Sequence, residues 1–243
     1  MSVCKRRIIA LVLFLLAITF LTFVFLDLAN FSQGNAGLEF DNNKFVRRGI
    51  TVLCLVLVLL IGNDGMNHGD TKRLRLIFLT IFLADLLFMF NIFIPGYILF
   101  SICQGLLIWR NGTGLMNSVY SGELLGYKIE LVLCGSTIIL TVLAFTVFLL
   151  YPSIGKGAMI YALLGYGILL GISLWVAISN FILKLFPRKN SILTMLGMIC
   201  FFISDFAIGF GLAKHCWVYV NFVVWLFYSP ALLLIGLSGY KYE

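Results

Sequence analysis

The sequence predicts an all-α fold: a polytopic membrane helix bundle of about eight transmembrane helices, with both termini cytoplasmic. Two observations about composition point there first. Hydrophobic residues make up 62% of the 243 positions and charged residues only 11%, whereas a soluble domain is typically about half apolar and about a quarter charged. The third is segmentation. Apolar runs near the ~20 residues that carry a helix across a bilayer recur along the chain.

The first run, 8–29, follows Cys4-Lys5-Arg6-Arg7, a charged start like that of a signal peptide. Its apolar stretch is long for that role and no A-x-A-like site closes it, so it reads as a retained first helix. Runs at 46–62, 75–93 and 95–110 follow; the first and last of these are short, and the latter two are joined by little more than Pro95-Gly96. Runs at 129–151, 157–185, 191–212 and 217–238 complete the set. No Pro/Ser-rich linker, low-complexity tract or internal repeat divides them, so residues 1–243 read as a single integral membrane domain.

Orientation follows from the basic residues of the loops. Twelve of the 17 Lys and Arg fall on the side of the N-terminus, and five (Lys44, Arg47, Arg48, Lys156 and Lys214) on the other. That predicts N-in, C-in. The net charge of +7 is spread over these short loops rather than along one face, which argues against nucleic acid as a partner. The basic residues read as topology signals and lipid-headgroup contacts. Sequons stand at Asn30-Phe31-Ser32 and Asn111-Gly112-Thr113, with only the first on the expected non-cytoplasmic side. The expected location is a bacterial inner membrane, from a compact chain with short tails.

Several chemistries lack their residues. The six cysteines form no CxxC and mostly sit in apolar runs as small hydrophobes, so neither a disulfide framework nor a metal site is expected. His68 and His215 have no ligand-type partner at helical spacing. There is no G-x-S-x-G elbow and no G-x-x-x-x-G-K-[ST] loop. No cofactor is implied.

Ionisable groups inside a membrane are expensive and mark functional sites. Asp27 ends the first run, where it can reach the interface, and reads as structural; Glu123 and Glu130 read as interface residues. Asp85 and Asp205 lie deeper, on odd-numbered helices that cross in the same direction and at depths that can match. Two carboxyls meeting in a partly dry cavity do not both ionise easily. One protonated acid beside one carboxylate is the pairing that acid–base hydrolysis uses. Gln104, Tyr161, Ser204, Asn221 and Tyr228 are polar groups placed to line the same cavity, although each also suits interhelical hydrogen bonding. Gly167-x-x-x-Gly171 is a close-packing signal.

These residues also carry a resemblance. Phe201-Phe202-Ile203-Ser204-Asp205 fits an F-x-x-S-D element, and Ala84-Asp85 stands where a G-D pair is expected. Gly96 and Phe100 fit G-x-x-x-F-x-x-x-H with Gln104 at the His position; Tyr161 opens the sixth run; Tyr228 fits Y-x-x-x-Q with Leu232 at the Gln. Over about residues 46–238 the chain resembles the YhhN family of eight-helix membrane proteins, which includes lysoplasmalogenases. The resemblance implies a membrane lipid as substrate: hydrolysis of the vinyl-ether bond of a lysoplasmalogen to a fatty aldehyde and a glycerophospho-alcohol. It makes Asp85 and Asp205 the catalytic acids, with Gln104, Tyr161, Ser204 and Tyr228 as substrate-binding groups. Gln104 hydrogen-bonds but does not titrate, so the departures at Gln104 and Leu232 suit a different lipid or an inactive homologue.

From the residues alone a second class stays open: a small transporter, channel or lipid-binding protein whose aspartates bind a proton or cation. Discontinuous helices and internal repeats mark that class. Here Pro95-Gly96 and Pro230 are weak breaks and no repeat is visible.

Overall fold

A computed structural model of the chain describes residues 3–32, 43–120, 126–155, 157–214 and 217–242. Glu123, Lys156, His215 and Cys216 lie outside the described residues, as do the side chains of the first sequon. The described residues hold eight long helices: α1 (Val3–Ser32), α2 (Lys44–Ile61), α3 (His68–Met89), α4 (Phe93–Asn111), α5 (Lys128–Phe145), α6 (Ala158–Ile182), α7 (Arg188–Lys214) and α8 (Trp217–Leu237).

Six of the eight are long and apolar enough to cross a membrane; α2 and α3 are not among them. The reason is charge. Lys44, Arg47 and Arg48 sit in the first turns of α2, and α3 carries Asp70, Lys72, Arg73, Arg75 and Asp85.

Neighbour relations close a ring. α2 packs on α3, α3 on α4, α4 on α6, α6 on α7, α7 on α8, and α8 back on α2. α1 lies outside the ring against α2 and α8, and α5 lies outside against α6. Ile77, Phe78, Ile81, Met198, Phe201 and Ile235 fill the interior. Small residues set the closest approaches: a Cβ on Gly197 would meet Ile235 Cγ1 at 2.7 Å, and one on Gly171 would meet Ile138 Cγ2 at 3.1 Å. The GxxxG thus seats α6 on α5.

The α3–α4 turn differs from expectation. Asn91 makes it, in the left-handed region at φ 59°, with Ile92 N–H donating to Leu87 O at 2.8 Å. Asn tolerates that conformation better than most residues. Pro95 and Gly96 instead fall in the first turn of α4, where a missing N–H costs nothing. Gly96 is there for proximity, because a Cβ would sit 3.0 Å from the Phe88 ring. α5 continues through a π-turn, Thr146–Leu150, in which Tyr151 N–H reaches back to Thr146 O. Pro152 follows at once. Such wide turns often border functional sites.

Several basic residues expected in loops are inside helices and paired. Arg110 is fully buried; its Nε and Nη2 meet Asp70 at 2.8 and 3.1 Å, and Nη1 donates to Ser238 Oγ at 2.9 Å. This ties α3, α4 and the end of α8 together. At the same end Asn190 Nδ2 donates to Ser238 O and Tyr240 O, both at 2.7 Å, and Lys5 pairs with Asp64. Asp27 is fully buried, and accepts from Arg47 Nη2 at 2.6 Å and Asn43 Nδ2 at 2.7 Å, stitching the end of α1 to the start of α2. The second sequon is closed by burial of Asn111, whose carbonyl accepts from Asn180.

Candidate functional site

A cavity of about 290 Å³ opens inside the ring, towards the end opposite the Arg110 lock, and all six ring helices line it together with the end of α5 and the π-turn that follows. Its walls are mostly apolar: Phe88, Phe93, Phe100, Phe145, Leu150 and Leu212 are among them. Among the described residues three charged ones line it, Arg48, Asp85 and Asp205.

α3 brings Asp85 to within four residues of its end at Met89, so this acid sits nearer the helix terminus than sequence depth suggests. It is 3% exposed. Arg48 Nη1 meets its Oδ1 at 2.7 Å, Thr51 Oγ1 donates to its Oδ2 at 2.7 Å, and Tyr228 OH approaches Oδ2 at 3.3 Å. Arg48 and Thr51 are three residues apart on α2, hence on one face. Trp225 and Tyr228 repeat that spacing on α8. The Arg48 guanidinium lies over the Trp225 ring at 5.1 Å, and the Trp225 and Tyr228 rings meet edge to face at 5.2 Å. The Asp85 side chain is thus gripped from α2 and α8.

Asp205 has different company. Tyr166 OH, from α6, donates to its Oδ2 at 2.5 Å, and no cation contacts it among the described residues. The two acids line the same cavity. Phe201, one turn before Asp205 on the same face, fixes the α7 register. Its ring packs 6.1 Å from Phe100 and 5.6 Å from Tyr228. Ser204 is fully buried and lines the cavity, and its hydroxyl has no hydrogen-bond partner among the described residues.

The remaining expected site residues divide. Tyr228 and Asn221 line the cavity. Gln104 lies behind the wall rather than on it, fully buried beside Tyr166, with neither amide atom in a well-formed hydrogen bond. Tyr161 is not brought to the aspartates: it is 72% exposed and outside the lining. The tyrosine at Asp205 is Tyr166, five residues further along α6 and so on a different face. Leu232 is fully buried in the core and does not line the cavity.

Sequence reasoning missed Arg48, Thr51 and Tyr166. A signal for the first two was present: Arg48 and Thr51 share one face at the start of a helix that is apolar beyond Thr51. Tyr166 had none beyond its neighbour Gly167, where a Cβ would meet Val142 at 3.0 Å.

What can this arrangement do? A guanidinium-paired carboxylate and an acid without a cation face one apolar-walled space, which suits proton transfer to and from a hydrophobic molecule. The model of the YhhN family matches residues 43–239. No curated protein and no solved structure matches the chain. Because the family match runs from the turn before α2 to the turn after α8, taking in the whole ring and all three charged cavity residues, the chain belongs to the YhhN family.

Proposed function

We propose that the protein is a membrane-embedded hydrolase of the lysoplasmalogenase type, cleaving the vinyl-ether bond of a single-chain ether lipid with Asp205 as acid and Asp85 as carboxylate. The observation that carries this reading is the unequal company of two aspartates in one cavity. Arg48 pairs with Asp85, whereas Asp205 faces the phenol of Tyr166.

In the first step the Asp205 carboxyl protonates the vinyl carbon remote from the ether oxygen. The C=C electron pair forms the new C–H bond and leaves an oxocarbenium ion, with Asp205 as carboxylate. Asp85 stabilises the cation and takes a proton from the water that adds to it, giving a hemiacetal. Collapse breaks the old C–O bond: Asp85 returns its proton to the leaving oxygen, and Asp205 takes the hemiacetal hydroxyl proton. Aldehyde and alcohol leave, both acids are reset, and one water is consumed. General acid–base groups of this kind contribute about 10²–10⁴-fold each.

In this reading all eight long helices cross the bilayer with both termini cytoplasmic. α2 and α3 tolerate their charges because the charges pair inside the ring or lie near helix ends. The cavity then sits in the non-cytoplasmic half, with its apolar walls open to a lipid chain. The test is aldehyde release from a lysoplasmalogen by purified protein. Release that is lost in Asp205→Asn supports the assignment; an Asp205→Asn protein as active as the wild type sinks it.

A further inference from the structure

α2 carries two adjacent arginines that do opposite things. Arg47 turns outward to α1, is 3% exposed, and is consumed by Asp27. Arg48, about 100° round the helix, turns into the cavity. Its side chain keeps 22% exposure against 5% for its partner Asp85. Among the described residues it is the only cation in the cavity lining. Among the described residues only Nη1, of its three nitrogens, has a partner, Asp85 Oδ1. The Trp225 ring below holds the guanidinium plane in place.

We infer that Arg48 is the specificity-determining residue of the cavity, using the donors that Asp85 leaves unused to bind the phosphate of a single-chain lipid. A planar guanidinium offers parallel N–H pairs that match phosphate oxygens, which a lysine ammonium does not. One arginine then joins both ends of the reaction. Asp85 on Nη1 marks where the ether carbon becomes cationic, and the phosphate lies a glycerol's length away on the remaining nitrogens. Lipids of the same chain without phosphate lack this anchor. The inference rests on the hydrolase reading for the identity of the lipid, but not for the binding of phosphate.

The test measures binding without chemistry, on the full chain in detergent micelles. The probes are a 1-O-alkyl lysophosphatidylcholine (a saturated ether that has no vinyl carbon to protonate), the matching 1-O-alkylglycerol, and inorganic phosphate. The readout is tryptophan fluorescence, with the Trp225 part identified by its loss in Trp225→Phe. We expect the lysophospholipid to bind at least about tenfold more tightly than the alkylglycerol. Arg48→Gln removes that preference, and Arg48→Lys, which retains the charge and guards against misfolding, keeps part of it. Equal affinity for the two lipids in the wild type overturns the inference. So does an Arg48→Gln protein that weakens both lipids equally, or displacement of the lysophospholipid by inorganic phosphate at matching concentration. Phosphate preference without hydrolysis of a vinyl ether would reject the hydrolase reading and leave this one standing; vinyl-ether hydrolysis by a protein that binds the two lipids equally would do the reverse.

Discussion

Arg48 meets Asp85 across the α2–α3 boundary, Nη1 to Oδ1 at 2.7 Å, inside the cavity that Asp205 enters from the far side of the ring. The pair makes the two acids unequal, and their substitutions should therefore differ in more than activity. Asp205→Asn and Asp85→Asn should each lower kcat by about 10²–10⁴-fold. Only Asp85→Asn strands a cation, so it alone should lose about 1–3 kcal/mol of stability. Thermal unfolding of both variants beside their aldehyde-release rates checks this; equal stability losses would contradict the assignment.

Tyr166→Phe keeps the ring and deletes the hydroxyl that donates to Asp205 at 2.5 Å. A single hydrogen bond to the acid is worth about one order of magnitude in rate. The expected result is a kcat about tenfold lower with KM little changed. An unchanged kcat would remove Tyr166 from the site.

Gln104 is fully buried with both amide atoms lacking well-formed hydrogen bonds. Such groups cost about 1–3 kcal/mol, and proteins keep them where function needs them. Gln104→Leu should raise the unfolding temperature and lower kcat. A variant that is more stable and fully active would show the amide to be idle.

The Arg110–Asp70 pair lies at the opposite end of the bundle from the cavity and is buried on both sides. Arg110→Gln or Asp70→Asn should each cost about 3–5 kcal/mol, since either leaves an uncompensated buried group. The activity of the protein that remains folded should be unchanged. A selective loss of kcat at normal stability would mean that the two ends are coupled.

Gly197 sits where α7 and α8 touch, and a Cβ there would lie 2.7 Å from Ile235 Cγ1 and 3.2 Å from its backbone nitrogen. Backbone cannot swing away as a side-chain tip can. Gly197→Ala should destabilise by about 1–3 kcal/mol, readable as a lower melting temperature in detergent.

Much of this protein was legible in one dimension. Apolar runs of bilayer length come from local composition, and their boundaries agree with the observed helices to within a turn or so at most ends. Asp85 and Asp205 stood out because an acid in an apolar run is rare on energetic grounds. The α3–α4 turn was misplaced because proline reads as a breaker, although its position in the first turn of α4 leaves the helix intact. The real break, Asn91, depends on one residue entering the left-handed region.

Membrane character and the two deep acids are therefore properties of the sequence by itself, set by the cost of burying charge and by helix length. Which groups surround those acids was decided only by the tertiary structure. Thr51 is 34 residues from Asp85, Tyr166 is 39 from Asp205, and Tyr228 is 143 from Asp85. Closing the ring brings them together, and no local pattern records which face of one helix meets which face of another. Arg48 shows the difference most clearly. In sequence it is one basic residue among 17 and reads as a topology signal; in the ring it is the cation that pairs with Asp85 inside the cavity that Asp205 also lines.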